Sequence, residues 1–302
     1  MVSHPTPTLH DVAEAANVST ATVSRCLNFP DKVAADTRQK VAIAIAALGY
    51  SPNFGARVMA ARRTNTIGAI IPTMENAIFA RGLESFQDEL RTYGFTMLVA
   101  STAYQPKIEE EQIRSLVARG ADALLLIGYQ RDPEIYRFLD AQSVPALVTW
   151  AFDLASPLPS IGFDNRTAMQ QMAAKVIELG HNRLAMISAG VSQNDRAAAR
   201  RDGIALAMAA AGLDESSLHV EETTYGIDEG AAAFERLMAL KQRPTAVLCG
   251  NDVLAVGALR RARELGMRVP DDVSVTGFDD IELAQVAFPA LTTVHVPHHE
   301  MG

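Results

Sequence analysis

The chain has 302 residues, 48% of them hydrophobic and 21% charged, with a net charge of −8. That is too long for one small core and fits two or three compact units with an ordinary solvated surface. No run of about 18 apolar residues occurs, which excludes a membrane-spanning helix, and MVSHPTPTLHDVAEAA lacks the basic-then-apolar order of a secretory signal. Cys26 and Cys249 are the only cysteines and form no CxxC spacing. A cytoplasmic setting is expected, with no thiolate metal site and no cofactor.

The charge is unevenly spread. Residues 1–63 hold seven Lys or Arg against four acids, a balance of +3, and the rest of the chain holds 20 basic and 31 acidic side chains, a balance of −11. A basic head on an acidic body is the asymmetry expected when only the head meets phosphate.

In chain order, the head reads as three short helices. Thr8 with Asp11 resembles a capping box opening LHDVAEAA, whose Leu9, Val12, Ala13 and Ala16 share a face. A turn at Asn17-Val18 leads to Ser19, an N-cap for a helix from Thr20 to Leu27 with Val23 and Leu27 inward. Phe29-Pro30-Asp31 breaks the pattern, and a third helix runs from about Asp36 to Leu48, ended by Gly49. Two helices across a tight turn, braced by a third, make a helix-turn-helix.

From Ile67 the pattern becomes strand, loop, helix, repeated. IGAIIPT, FTMLVAST, ADALLLIGY and PALVTW form one series of apolar runs, and RLAMISAG, HVEETTY, TAVLCGND and VSVTGFDD a second. Apolar strands alternating with helices imply parallel sheets covered on both faces. The fold class is therefore an all-α helix-turn-helix domain plus α/β, in two doubly wound parallel-sheet lobes. A ligand would sit in the cleft at the carboxyl ends of the strands.

TLHDVAEAANVSTATVSRCLN, KVAADTRQKVAIAIAALGYSPN and ARVMAARRTNTIGAIIP resemble the head, hinge and first strand of the LacI/GalR family of bacterial transcription regulators, and PTAVLCGNDVLAVGAL, VPDDVSVTGFDD and PALTTV extend the resemblance over essentially the whole chain. It differs from the usual pattern at Asn17, where the family has Gly in the first turn, at Ala34, where a Ser often caps the third helix, and at Met59, where the hinge carries Leu. Family members also continue for some tens of residues beyond PHHEMG, through a segment that finishes both lobes.

The resemblance implies a head of residues 1–50 and a hinge of 51–63. It implies one lobe of 64–162, with 292–302 crossing back to it, and a second of 163–291. It puts Thr20, Ala21, Thr22 and Arg25 against base edges. Arg25 has the fork that fits guanine O6 and N7, while Ser19, Ser24, Asn28 and Tyr50 are placed for phosphates. In the hinge, Asn53, Ala56, Arg57 and Met59 would meet the minor groove, with Met59 as the wedge.

Effector residues are sought at strand ends and the helix starts after them. Phe79 is placed to stack on a ring or to fill core. Asn194, Arg196 and Arg200 follow RLAMISAG, Arg200 matching the family's cleft arginine and Arg196 being cleft or surface. Tyr225, Asn251 and Asp279 end the next three strands, Trp150 serves equally as a ring platform or as core, and Asp252 and Asp280 read as helix caps. Asp279 with Arg200 suits a polar ligand such as a sugar or a purine-like ring. The expected partners are double-stranded operator DNA, a palindrome read by a homodimer, and a small-molecule effector; no membrane is expected.

The competing readings are a solute-binding protein of a transporter, which shares the lobes but needs no basic head, and an α/β enzyme. No P-loop, GxSxG, GxGxxG or HExxH occurs, so no catalytic residues are expected. HVPHHE, from His295, is a weak compositional signal for metal.

Arg25→Ala is expected to weaken binding to the chain's own operator by about 1–3 kcal/mol and binding to random DNA by less. Fluorescence anisotropy measures both, and equal losses on the two DNAs exclude base reading.

Overall fold

The computed structural model of the protein describes residues 6–51, 63–75 and 77–302. It divides into two compact units, one ending at Thr64 and one running from Asn65.

The small unit contains α1 (Leu9–Ala15), α2 (Thr20–Asn28) and α3 (Ala35–Leu48), with a 3-10 turn at Pro30–Lys32. The start of α1 is held by a reciprocal capping box, in which the Asp11 carboxylate accepts from the Thr8 amide at 2.7 Å. Asn17 takes the left-handed conformation, φ 51°, that the tight turn into α2 requires. Ser19 caps α2 by accepting from the Thr22 amide at 3.1 Å. Helix α3 starts at Ala34 with no side-chain cap and stops at left-handed Gly49. Val12, Ala13, Ala16, Val23, Val41, Ala44 and Tyr50 form the core, with Val18 and Cys26 packed against it. Two expectations are corrected here. Leu27, in the last turn of α2, is 36% exposed because Val18 and Cys26 already close this small core. Tyr50 lies in the core and not on the open face, since the turn at Gly49 brings its amide back onto the Ile45 carbonyl at 3.1 Å.

The large unit begins with β1 (Thr66–Ile71), α4 (Ala80–Thr92), β2 (Thr96–Ser101), α5 (Pro106–Ala118), β3 (Ala123–Ile127), α6 (Pro133–Gln142), β4 (Ala146–Thr149) and β5 (Ser160–Ile161). It continues with α7 (Asn165–Glu178), β6 (Leu184–Ser188), α8 (Asp195–Ala210), β7 (His219–Glu222), α9 (Ile227–Met238), β8 (Ala246–Cys249), α10 (Asp252–Glu264), β9 (Ser274–Asp279), α11 (Glu282–Val286), β10 (Thr292–His295) and α12 (His298–Met301). The strands form two parallel sheets, ordered β2-β1-β3-β4-β5 and β10-β9-β8-β6-β7. Numbered from β6, the second has the same order as the first, 2-1-3-4-5. That order leaves a crevice at the carboxyl ends, between the first and third strands of each sheet.

The expectation that residues 292–302 cross back to the first lobe holds only for the last of them. β10 pairs with β9 in the second sheet, where Thr293 Oγ1 donates to the buried Asp252 carboxylate at 2.5 Å, and it is α12 that lies against α4. The caps also differ. Asn251, not Asp252, caps α10, accepting from the Leu254 amide at 2.9 Å, because Asp252 is turned inward to Thr293 and the Ile281 amide. Asp280 caps no helix; it sits at φ 53° and bonds His295 at 2.8 Å.

Helices α9 and α10 approach closely through paired glycines. A Cβ on Gly257 would lie 2.1 Å from the Ile227 carbonyl, and one on Gly230 would lie 2.4 Å from that of Leu254. Gly257→Ala therefore forces the two helices apart and is expected to cost about 1–3 kcal/mol, measured as a lower urea midpoint for the large unit. An unchanged midpoint contradicts this packing.

Candidate functional site: an interlobe cavity and an exposed helix face

The cavity between the lobes is lined by Ile78, Phe79, Tyr104, Trp150, Asn194, Arg196, Arg200, Tyr225, Asn251 and Asp279. All eight effector candidates of the sequence are thus in one place, joined by Ile78 and Tyr104. Tyr104 was missed, although the repeat of the lobes carries a signal for it. It follows β2 at the same distance as Tyr225 follows β7, the corresponding strand of the second lobe, and the two rings meet at 5.2 Å. Tyr104, Trp150 and Asp279 all have positive φ (58°, 57° and 110°), the kind of backbone strain that concentrates at binding sites.

Arg200 is the best-anchored cation. Its guanidinium stacks 3.7 Å from the Phe278 ring centroid, and its Nε donates to Asn165 Oδ1 at 2.9 Å while Nη1 donates to the Gly250 carbonyl. Asn165 in turn donates to the Trp150 carbonyl at 3.0 Å, which fixes the strained Trp150. The Trp150 ring meets Phe79 edge-on at 5.2 Å, so Phe79 and Trp150 are both buried packing and cavity wall.

Trp150 Nε1 donates to His298 Nδ1 at 3.1 Å, so His298 carries its proton on Nε2 and donates it to the Asp279 carbonyl at 3.1 Å. Burial pushes the His298 pKa down, consistent with this neutral form. The last helix is in this way tied to both walls of the cavity.

Asp279 is 1% exposed, and its Oδ1 has no hydrogen-bond partner among the described residues. Arg200 Nη2 stands 3.9 Å from that oxygen, a marginal ion pair. Burial outweighs it and pushes the Asp279 carboxyl up to about 7, with Arg200 opposing and the nearby Asp252 adding to the rise. The hydroxyls of Tyr104 and Tyr225 are also shifted upward by burial and remain protonated donors.

The two asparagines show how the fold aims its donors. Asn194 and Asn251 each spend the side-chain oxygen on a helix cap, to the Ala197 amide at 3.2 Å and the Leu254 amide at 2.9 Å. Capping fixes the amide orientation and leaves each NH2 for the cavity. Asn194 Nδ2 faces the Tyr225 hydroxyl at 3.5 Å, and Asn251 Nδ2 has no partner among the described residues. Donors therefore outnumber acceptors, with Asp279 as the one lining carboxylate.

In the small unit, Thr20, Ala21, Arg25 and Asn28 are exposed on α2, and Thr22 and Ser24 are half-buried. Ser19 is engaged with Thr22, and Asn28 Nδ2 donates to Ser24 Oγ at 3.3 Å. Asn53, Ala56, Arg57 and Met59 lie outside the described residues. His295 and His298 are engaged with Asp280 and Trp150 respectively.

Residues 8–53 match the family described as bacterial regulatory proteins, lacI family, and residues 173–302 match a periplasmic binding protein-like domain. The chain is 33% identical over 301 residues to the HTH-type transcriptional regulator GntR of Escherichia coli (strain K12), covering 98% of this chain and 88% of that protein. It is similar to a crystal structure of a LacI family transcriptional regulator from Silicibacter pomeroyi, at 25% identity and a TM-score of 0.87 over 98% of this chain and 89% of that one. It is also similar to the lac repressor dimer bound to operator and the anti-inducer ONPF, at 27% identity and a TM-score of 0.84 over 98% of this chain and 89% of that one.

The carboxyl of Asp279 has its ordinary value near 3.8 in the unfolded chain and about 7 in the folded one. Between about pH 4 and pH 7 the folded state holds the extra proton, so this group makes stability fall as pH rises, by at most about 1.4 kcal/mol per pH unit. Asp279→Asn removes that slope. The stability of the variant relative to the parent is expected to climb from pH 4 to pH 7 and level off above, as measured by denaturation at fixed pH. Parallel pH curves for the two proteins contradict the shift.

Proposed function

The chain belongs to the LacI family of bacterial regulatory proteins, and on that premise we propose that it is a repressor whose hold on operator DNA is set by a small polar metabolite bound between its lobes. The observation that carries the site assignment is a cavity in which aromatic faces, two arginines, two cap-oriented amides and a buried carboxylate converge. Its excess of donors suits a ligand rich in acceptors, and Asp279 takes a ligand donor. A sugar with paired hydroxyls or a purine-like ring has that chemistry, with Phe79, Trp150, Tyr104 and Tyr225 to cover its faces.

On the DNA side, Thr20, Ala21, Thr22 and Arg25 read bases, and Ser19, Ser24 and Asn28 meet phosphates. Tyr50, packed in the core, contributes only by bracing. Asn53, Ala56, Arg57 and Met59 form the hinge contact with the minor groove. The organisation is a head of residues 1–50, a hinge of 51–63, and lobes of 64–162 and 163–291. The lac repressor dimer, a relative, is bound to operator; we infer that this chain also acts as a dimer on a palindromic site, in the cytoplasm. No helix among the described residues is long and apolar enough to cross a membrane. The relatives are regulators, and nothing in this reading needs a catalytic group.

A ligand screen of sugars and nucleosides by thermal shift, on the full chain and on a form lacking residues 1–60, tests this reading. A true effector at a hundred times its Kd stabilises the lobes by about 2.7 kcal/mol. Deletion is expected to abolish operator binding and to leave that stabilisation in place. Stabilisation that disappears with the head, or operator binding that survives its loss, contradicts the division of labour.

A further inference from the structure

One compact set of hydrogen bonds crosses the cleft beside Arg196, apart from the Tyr104–Tyr225 ring contact and the Arg81–Glu282 ion pair. On the first lobe, the loop after β3 presents the Ile127 carbonyl, Gly128 and the Tyr129 amide; on the second, α8 opens with Asp195 and Arg196. The Tyr129 amide donates to Asp195 Oδ2 at 2.6 Å, and Arg196 Nη1 donates both to the Ile127 carbonyl at 3.1 Å and to Asp195 Oδ1 at 3.0 Å. Gln130 Nε2 adds a bond to the Ser192 carbonyl at 2.7 Å. The first-lobe side is itself tied down by several bonds. Arg131, whose side chain is 2% exposed, pairs with Glu109 at 2.8 Å and donates to the Ile127 carbonyl at 2.9 Å, and the Tyr136 hydroxyl donates to the Tyr129 carbonyl at 2.7 Å.

Gly128 is the place where this set can be upset without touching the core. It has φ 70°, and a Cβ there would lie 1.9 Å from Arg196 Nη1 and 2.5 Å from Asp195 Oδ1. Both obstacles are ends of side chains from the opposite lobe, so a methyl displaces the contact and leaves each lobe's own packing intact.

Arg196 also divides two spaces. It lines the inner cavity, with a volume of about 20 Å³, and an outer one of about 500 Å³ bounded by Tyr129, Phe152, Phe163, Arg166 and Asp195. Small-molecule sites occupy roughly 300–1,000 Å³. The inner space alone is smaller than that, and Arg196, held on the Ile127 carbonyl, is the one residue among those described that lines both.

We propose that Gly128, Asp195 and Arg196 form a latch across the cleft that sets how often the cavity opens, and hence the metabolite concentration to which the regulator responds. Gly128 and Asp195 act as positioning residues in this scheme: neither is needed to touch the metabolite. The metabolite's apparent affinity scales with the population of the competent state, so loosening the latch at Gly128 shifts the concentration to which the regulator responds. The proposal rests on the interlobe site being the effector site, but the latch is measurable with no metabolite present.

The test uses Trp150, the single tryptophan, which is 3% exposed on the cavity wall. Acrylamide quenching of its emission and deuterium uptake by the peptide spanning residues 127–131 are measured on the full chain without ligand, for Gly128→Ala, Asp195→Ala and the control Gly94→Ala. Gly94 has a similar backbone, φ 75°, with nothing within 4 Å of a Cβ, so it isolates strain from collision. The latch predicts that Gly128→Ala and Asp195→Ala each raise the quenching constant and the uptake rate by at least about twofold, a shift of population toward the open state. Gly94→Ala is expected to stay at the parent value. In an Arg196→Ala background the effect of Gly128→Ala should shrink, because the group it strikes is gone. Parent-like quenching and uptake in Gly128→Ala, or an equal rise in Gly94→Ala, overturns the latch. A ligand screen that finds no binder bears on the effector reading and leaves this result unchanged.

Discussion

A guanidinium buried among apolar side chains must find partners for its hydrogen-bond donors, and at Arg200 that requirement organises the centre of the large unit. Its partners are the start of α7 through Asn165, the end of β8 through the Gly250 carbonyl, and the Phe278 face on β9. Asn165 passes the constraint to Trp150, and Trp150 passes it to His298 and so to the carbonyl of Asp279. The loop closes on the carboxylate that Arg200 faces across 3.9 Å. Both lobes and the last helix share this one network, and the cavity side chains stand at its rim.

The network explains the unusual state of Asp279. A carboxylate with a full set of donors would be stabilised as an anion, but Arg200 gives its donors elsewhere and Oδ1 has no partner among the described residues. The group is therefore held near neutrality at about pH 7, able to accept as carboxylate or donate as acid. A polyhydroxylated ligand offers both roles. The same thrift appears at Asn194 and Asn251, where a helix cap and a cavity donor are two ends of one amide.

Much of the fold was legible because parallel strands buried on both faces leave continuous apolar runs, and LAMIS or AVLC cannot be mistaken for surface. The cavity residues were legible because a doubly wound sheet puts functional groups at strand ends, a rule that needs only the strand boundaries. What escaped were choices made by tertiary neighbours. Tyr104 required noticing that the second strand of each lobe ends alike. Asn251 rather than Asp252 caps α10 because the Thr293 hydroxyl and the Ile281 amide claim the aspartate, and neither is near in sequence. Leu27 looked like core by periodicity, but a three-helix core fills before reaching it. The contacts at Gly128 were invisible, since Asp195 and Arg196 lie more than sixty residues away in the chain and meet it only through the tertiary fold.

The central claim is that occupancy of the cavity and grip on DNA are one coupled equilibrium. Trp150 reports the first and anisotropy of labelled operator the second, in a single titration with a metabolite that stabilises the lobes. Coupling predicts that operator affinity and Trp150 emission change over the same metabolite range, and that saturating operator shifts the metabolite's affinity by the same factor the metabolite shifts the operator's. A metabolite that saturates Trp150 while operator affinity stays constant would contradict it.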